Sequence, residues 1–284
     1  MTYRECYEQG CRTLQAAGIE EATLDARLLL EAVCGTDRND LLAHGEQPVM
    51  SQAEEKYLNW IRQRAEHIPL QQLTGEQDFM GLTFSVNEHV LIPRQDTEIL
   101  VEEVLKELHD RMRILDMCTG SGCILLSLLH YSNDCEGLGV DLSAEALEVA
   151  GQNVLKVLTP EKAEHAHFLQ SDLFEKVEGK FEIIVSNPPY IASAEVEKLM
   201  PEVRDHEPRM ALDGTEDGLY FYRRIIEEAG KHLVSSGMLF FEIGYDQGQA
   251  VSELMRAQGY REVQVVQDYA GLDRVVLGTY CERN

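Results

Sequence analysis

Met112-Arg-Ile-Leu-Asp-Met-Cys-Thr-Gly-Ser-Gly-Cys123 carries more architectural information than any other stretch of this chain. Its apolar opening predicts a buried strand over 112–117, and the apolar run from Cys123 predicts a helix over 123–131. Between them, Gly120 and Gly122 let the backbone come close to a ligand at a strand-to-helix turn. A dinucleotide fingerprint would need a third glycine at 125, where Leu125 stands. Glycines in such a turn also serve tight geometry alone, so the neighbouring residues have to be weighed with them. Asp116 suits a ligand carrying an ammonium and a sulfonium better than a pyrophosphate, which favours S-adenosyl-methionine over NAD.

Outward from this unit, apolar runs alternate with helical periodicity. Further strands are expected at 136–141, 166–170, 181–186, 237–243, 262–267 and 274–280, and helices at 144–157, 217–233 and 246–258. That alternation predicts an α/β fold with a mostly parallel sheet covered on both faces. Ligands of such sheets sit beyond the carboxyl ends of the strands. The second strand ends at Asp141, placed to accept both hydroxyls of a ribose, with Leu142 next to it. After the third strand, Asp172 and Leu173 stand where an adenine would be reached, Asp172 accepting from its exocyclic amine. An Asp after a strand is equally at home as a turn residue or helix cap. The cofactor-binding candidates are Asp116, Cys118, Thr119, Gly120, Ser121, Gly122, Asp141, Leu142, Asp172, Leu173 and Asn187.

The fourth strand, Phe181-Glu-Ile-Ile-Val-Ser186, runs into Asn187-Pro188-Pro189-Tyr190. An amide nitrogen is a poor nucleophile because resonance ties up its lone pair. Two fixed acceptors for its hydrogens would draw it toward a reactive geometry. Asn187 supplies a side-chain carbonyl oxygen, and Pro188 a backbone carbonyl held by two consecutive rings. Tyr190 offers an apolar face for a planar group. Asn187, Pro188, Pro189 and Tyr190 are therefore the catalytic candidates.

Upstream, Tyr3, Cys6, Tyr7, Cys11 and Leu14 recur at helical spacing, as do Leu24, Leu28, Leu29 and Val33. Ser51 and Glu54 have the spacing of a capping box before a helix with Tyr57, Trp60 and Ile61. These residues predict a helical bundle over 1–75. The alternation Phe79-Met-Gly-Leu-Thr-Phe-Ser-Val, the turn-prone Asn87-Glu-His and then Val90-Leu-Ile-Pro93 predict a linking hairpin over 76–93. A helix opens at Asp96 and runs through Leu108, and the domain it begins extends over 94–284.

Bulk composition narrows the partners. Among 284 residues, 50 acids face 25 bases for a formal charge of -25, which disfavours a grip on free nucleic acid. Seven cysteines form no C-x-x-C pair and the nine histidines no ligand spacing, so no metal is expected. Neither a membrane span nor a signal peptide is expected, which makes the cytoplasm the default compartment. Nothing suggests an obligate oligomer, and a monomer is the expectation.

With these motifs in place, the chain resembles the bacterial release-factor glutamine methyltransferases over nearly its whole length. Leu73-Thr-Gly75, Phe79-Met-Gly81 and Val90-Leu-Ile-Pro-Arg-Gln-Asp-Thr-Glu98 are similar to the family's hairpin and following helix. Asp116–Gly122 is similar to its cofactor loop and Ser186–Ile191 to its substrate motif. Glu207–Gly214, Asp217–Leu219, Phe241–Gly244 and Asp268–Val275 are similar to its later signatures. The resemblance implies a seven-stranded, Rossmann-like class I methyltransferase sheet with a small N-terminal helical bundle. Such a bundle suits docking of a protein partner, here the release factor, with a purely stabilising cap as the alternative. It implies S-adenosyl-methionine as cofactor, and as substrate the glutamine of the Gly-Gly-Gln tip of peptide chain release factors, with an effect on translation termination. It also implies that Thr119, Gly120, Gly122, Asp141 and Leu173 line the cofactor, that Asn187 to Tyr190 clamp the glutamine, and that Pro93 and Arg94 lie near the pocket. The family commonly has proline at Gln95, an aromatic residue at Leu173 and glycine at Cys118. An N-P-P-Y motif is shared with enzymes that methylate the amine of adenine or guanine in nucleic acid, the alternative reading. The negative charge and the lack of a basic target-recognition region speak against it.

Overall fold

A computed structural model describes residues 1–281. The chain divides into two compact units, one of Met1–Glu76 with Met200–His206, the other of Gln77–Leu199 and the chain from Glu207 onward. The first opens with helices α1 (Tyr3–Ala16), α2 (Ala22–Cys34), α3 (Arg38–Ala43), α4 (Ser51–Ala65) and α5 (Leu70–Thr74). The second begins with strands β1 (Glu76–Phe79) and β2 (Leu82–Ser85), helix α6 (Asp96–Glu107), β3 (Arg113–Met117), α7 (Cys123–Tyr131), β4 (Glu136–Asp141) and α8 (Ala144–Val157). It continues with α9 (Pro160–Ala163), β5 (Ala166–Gln170), β6 (Phe181–Ser186) and α10 (Ser193–Val196). The short α11 (Pro201–Arg204) belongs to the first unit. Then come α12 (Arg209–Leu212), α13 (Tyr220–Ala229), β7 (Leu233–Glu242), α14 (Gly248–Ala257), β8 (Arg261–Gln267) and β9 (Asp273–Thr279).

Seven strands form one sheet in the order β5-β4-β3-β6-β7-β9-β8. Strands β3 to β7 pair in parallel, while β9 runs antiparallel to both β7 and β8. The chain steps outward from β3 to β5 and returns to lay β6 on the other side of β3. That reversal opens a crevice at the carboxyl ends of β3 and β6, where open α/β sheets take their ligands.

Strand alternation splits the core into two layers. Ile114, Ile183, Val185, Phe240 and Val275 pack with α6 and α7 on one face. Leu115, Ile184, Leu239, Phe241 and Val276 pack with α13 and α14 on the other. Each fully buried aliphatic or aromatic chain contributes about 1.5–3 kcal/mol. Helix α7 is buried on nearly every side, which explains why Ile124–Leu129 is continuously apolar except for Ser127.

Several expectations are corrected. The hairpin turn is Met80-Gly81, with φ of 53° and 71°, so the alternating run Phe79–Val86 contains the turn and Asn87-Glu-His follows the second strand. Glu98 accepts from the Met80 N–H at 2.7 Å and Tyr131 donates to its carbonyl at 2.5 Å, which holds a non-glycine residue in the left-handed region. The 217–233 helix begins only at Tyr220, because Gly218 is left-handed at φ 71°.

In the first unit the Ser51/Glu54 capping box does not form: Met50 is the cap residue, and Glu54 instead takes the N-terminal amine of Met1. The reciprocal box is made by Thr2 and Glu5 at the start of α1. Leu24 is 38% exposed, and the small Ala22 and Ala26 face the core in its place beside Leu29 and Leu30. Arg64 is buried between Asp25 at 2.7 Å and Glu202 of α11 at 3.0 Å, and His67 Nδ1 also meets Glu202 at 2.9 Å. Burial pushes the Glu202 carboxyl up, but bonds from His67, its own backbone and Arg64 more than offset this and leave it below the usual range.

Candidate active site

Strand β3 ends at Met117, and the loop after it turns on Cys118 at φ 63° and Gly120 at φ 55°. A Cβ built at Gly120 meets nothing within 4 Å, so that side of the loop is open. Cys118 lacks glycine's freedom, and a left-handed non-glycine residue costs about 1–2 kcal/mol. Leu173, another departure from the family pattern, is also left-handed at φ 46°. Strain of this kind concentrates at functional loops.

Asp141, at the end of β4, ties the loop to its own strand. Its Oδ2 accepts from the Gly120 N–H at 2.9 Å and its Oδ1 from the Ser143 N–H at 3.0 Å. Each oxygen keeps a further lone pair for a ligand hydroxyl. Burial raises its pKa, and the backbone donors act against that rise.

A cleft of about 1170 Å³, part of it open to solvent, lies over these strand ends. Cys118, Thr119, Gly120, Ser121, Asp141, Leu142, Asp172, Leu173, Asn187 and Pro189 line it, as do Pro93 and Arg94. Four candidates do not line it: Asp116, Gly122, Pro188 and Tyr190. Gly122 caps α7 at φ 78°. Asp116 is corrected in role. It sits on β3 in step with Ile114, facing α7 rather than the cleft, and is fully buried. Its Oδ2 accepts from Thr119 Oγ1 at 2.6 Å and from the Leu125 N–H at 3.3 Å, while Oδ1 has no partner among the described residues. Burial pushes its pKa up to about 7 against the pull of those two bonds. Asp172 lines the cleft, but its Oδ1 is engaged by Arg224 Nη1 at 2.9 Å.

Asn187 Nδ2 donates to Thr97 Oγ1 at 3.5 Å, which turns its Oδ1 the other way. Neither that oxygen nor the Pro188 carbonyl accepts a hydrogen bond from the described residues. Two acceptors therefore stand unused at the end of β6. The Tyr190 hydroxyl points inward to Glu242 Oε1 at 3.3 Å, and its pKa is raised by burial and then by Glu242. Burial likewise raises the pKa of Glu242, whose Oε2 has no partner among the described residues. Gln247 Nε2 donates to the Tyr190 carbonyl at 3.0 Å and to Gly218 O at 3.3 Å, while its Oε1 accepts from Gly244 N at 2.9 Å. Behind the motif, Ile191 pairs with Asp213, and Gly214 N donates to Ile191 O at 2.8 Å. Arg94 Nη2 spans both oxygens of Glu207, at 2.7 and 2.6 Å.

The sequence reading missed Thr97, Gln247 and the structural role of Glu242. It also missed Phe221, which lines the cleft and brings an aromatic ring to a pocket whose Leu173 lacks one. Only their place inside family-like segments hinted at Thr97 and Glu242.

A switch-point cleft, an acid closing the second strand and paired acceptors closing the fourth define a class I, S-adenosyl-methionine-dependent methyltransferase. The chain is 44% identical to the release factor glutamine methyltransferase of Moorella thermoacetica, over 98% of each chain. It is 41% identical to that of Agrobacterium fabrum, over 93% of each. It belongs to the release factor glutamine methyltransferase family. The PrmC N-terminal domain family matches residues 5–75 and the Methyltransferase small domain family residues 94–203. A methyltransferase structure from Pyrococcus furiosus, 16% identical, aligns with a TM-score of 0.52 over 82% of this chain and 100% of that one, a likeness of fold alone.

Proposed function

We infer that this chain methylates the side-chain amide nitrogen of the glutamine in the Gly-Gly-Gln motif of peptide chain release factors, and so modulates translation termination. The methyl group comes from S-adenosyl-methionine, which supplies an electrophilic carbon on a sulfonium leaving group. The observation that carries the reading is the pair of unused acceptors at the end of β6, Asn187 Oδ1 and Pro188 O, with Asn187 lining the same cleft as the loop open at Gly120.

The residues present fit that cofactor. Asp141 retains acceptor capacity for the ribose hydroxyls, and Asp172 has an oxygen beyond the one Arg224 holds for the adenine amine. Leu142, Leu173 and Phe221 offer apolar surface. Asp116 acts through Thr119, whose hydroxyl it fixes.

Asn187 and Pro188 accept the two amide hydrogens and orient the nitrogen lone pair toward the methyl carbon. Holding reactants in line is worth about 7–11 kcal/mol in well-oriented systems. The same carbonyl dipoles stabilise positive charge growing on nitrogen, and the extra proton leaves readily once the bond to carbon has formed. Gln247, Tyr190 and Thr97 hold the acceptors in place. The first unit serves as a docking surface for the release factor, and the enzyme works as a monomer in the cytoplasm. No helix among the described residues is long and apolar enough to cross a membrane. Methylation of a base amine would use the same acceptors, but the relatives named above and the charge of -25 both favour a protein substrate.

Asn187→Ala is expected to abolish transfer while leaving cofactor affinity within several-fold. Unchanged turnover in that variant contradicts the assignment.

A further inference from the structure

The first unit holds a second cavity, of about 920 Å³ and partly open to solvent, bordered by α1, α2, α3 and the turn at Gly45. Arg4, Arg27 and Arg38 line it together with Tyr3, Tyr7 and Glu8. Three arginines in one cavity are a local reversal in a chain with twice as many acids as bases.

The neighbouring carboxylates do not use up these cations. Arg4 Nη1 meets Glu46 at 2.8 Å, but both side chains are mostly exposed, and such pairs are worth about 0–1 kcal/mol. Arg27 gives Nη1 to Glu31 at 2.8 Å and keeps its remaining donors. Glu8, itself in the lining, pairs with Arg12 at 3.8 Å. Arg38 is exposed, and its guanidinium makes no hydrogen bond or ion pair with a described residue. All three arginines line the one cavity. The Tyr7 hydroxyl, raised in pKa by its bond to Cys11 and by burial, feels Arg27 and Arg38 as opposing charges. The Arg4 guanidinium lies against Gly45, where a built Cβ would stand 3.4 Å from Nη2.

We propose that this cavity binds acidic side chains of a polypeptide partner. On the reading given under Proposed function, that partner is the release factor. Planar guanidinium forks with the Tyr7 hydroxyl near them match carboxylates in charge and shape. A polyanion such as RNA carries charge along its whole length and would meet repulsion outside the cavity, whereas a protein needs to bring only one or two carboxylates to it.

The test uses the full chain, with methyl-transfer rates measured against folded release factor at low salt. Arg38→Glu is expected to raise KM by about tenfold with kcat at saturation retained, and to flatten the dependence of KM on salt. Arg62→Glu makes the same change of charge on α4 outside the cavity and is expected to leave KM unchanged. In parallel, a labelled hexaglutamate peptide is expected to bind the wild type more tightly than the Arg38→Glu variant, and an oligothymidylate to bind neither. An unchanged KM in Arg38→Glu, an equal rise in Arg62→Glu, or Arg38-dependent binding of the oligothymidylate overturns the proposal. If the wild type transfers no methyl to release factor, the functional reading fails by itself, and the hexaglutamate comparison still decides the chemistry of the cavity.

Discussion

Gly218→Ala perturbs the proposed catalytic motif, residues 187–190, without touching the cleft. Gly218 has φ 71°, and a Cβ built there stands 2.3 Å from the Tyr190 carbonyl oxygen and 2.8 Å from Gln247 Nε2. The left-handed backbone costs about 1–2 kcal/mol for alanine. Relief of the contact requires the Tyr190 carbonyl to retreat by about 1 Å, and overpacking of this kind costs about 1–3 kcal/mol. The destabilisation is therefore about 2–5 kcal/mol, read as a lowered denaturant midpoint. The functional cost is larger in proportion, because the carbonyl that moves is the one Gln247 pins, next to Pro189 and three residues from Asn187. A displacement of about 1 Å at reacting groups can cost roughly 100-fold in rate. Single-turnover methyl transfer is expected to slow by about that factor. Cofactor affinity, measured by calorimetry, should stay within about threefold, since Gly120 belongs to the loop after β3 and Asp141 to β4. Full turnover in a folded but destabilised variant would refute the idea that this buttress sets the geometry of the motif.

Asp141→Ala removes the acceptor for two backbone N–H groups and, on the proposed reading, for the ribose. With charged hydrogen bonds worth about 1.5–3 kcal/mol, cofactor Kd by calorimetry should rise by about 10- to 100-fold or more. Asp116 has a pKa of about 7 in the fold against 3.8 unfolded, so its neutral form stabilises the native state: that contribution is complete below 3.8 and is lost as pH rises through 7. Asp116→Asn should therefore flatten the fall in urea midpoint between about pH 4 and pH 7, and a variant whose midpoints run parallel to the wild type would exclude this titration. Gly151 lies inside α8 with nothing within 4 Å of a built Cβ, so Gly151→Ala should raise stability by about 0.8–1 kcal/mol with activity unchanged, as read from a denaturant melt.

Strands and the loops at their carboxyl ends were legible because they are sequence neighbours: a parallel strand buried on both faces is written as an apolar run, and the residue that ends it stands at the cleft edge. Period-two alternation along Ile114, Leu115, Asp116 and Met117 also carried the orientation of Asp116, though its position beside the glycine loop suggested otherwise. What stayed hidden depends on distant partners or on strained backbone. Gln247 acts on Tyr190 across 57 residues, and Thr97 meets Asn187 across 90. The Met80-Gly81 turn could not be read from composition because methionine rarely takes a positive φ, and Glu98 and Tyr131 hold it from outside the hairpin. Glu54 had the spacing of a capping residue, but the N-terminal amine competed for it and won.

The central claim is that Asn187 and Pro188 present a glutamine amide for methylation. It is tested by incubating the protein with methyl-labelled S-adenosyl-methionine and, in parallel, a folded release factor, the same factor with its tip Gln→Ala, and DNA or RNA. Label in the release factor, lost in the tip variant and absent from nucleic acid, is the predicted result. Label in nucleic acid with none in the release factor would contradict it, and the same acceptors would then serve a base amine.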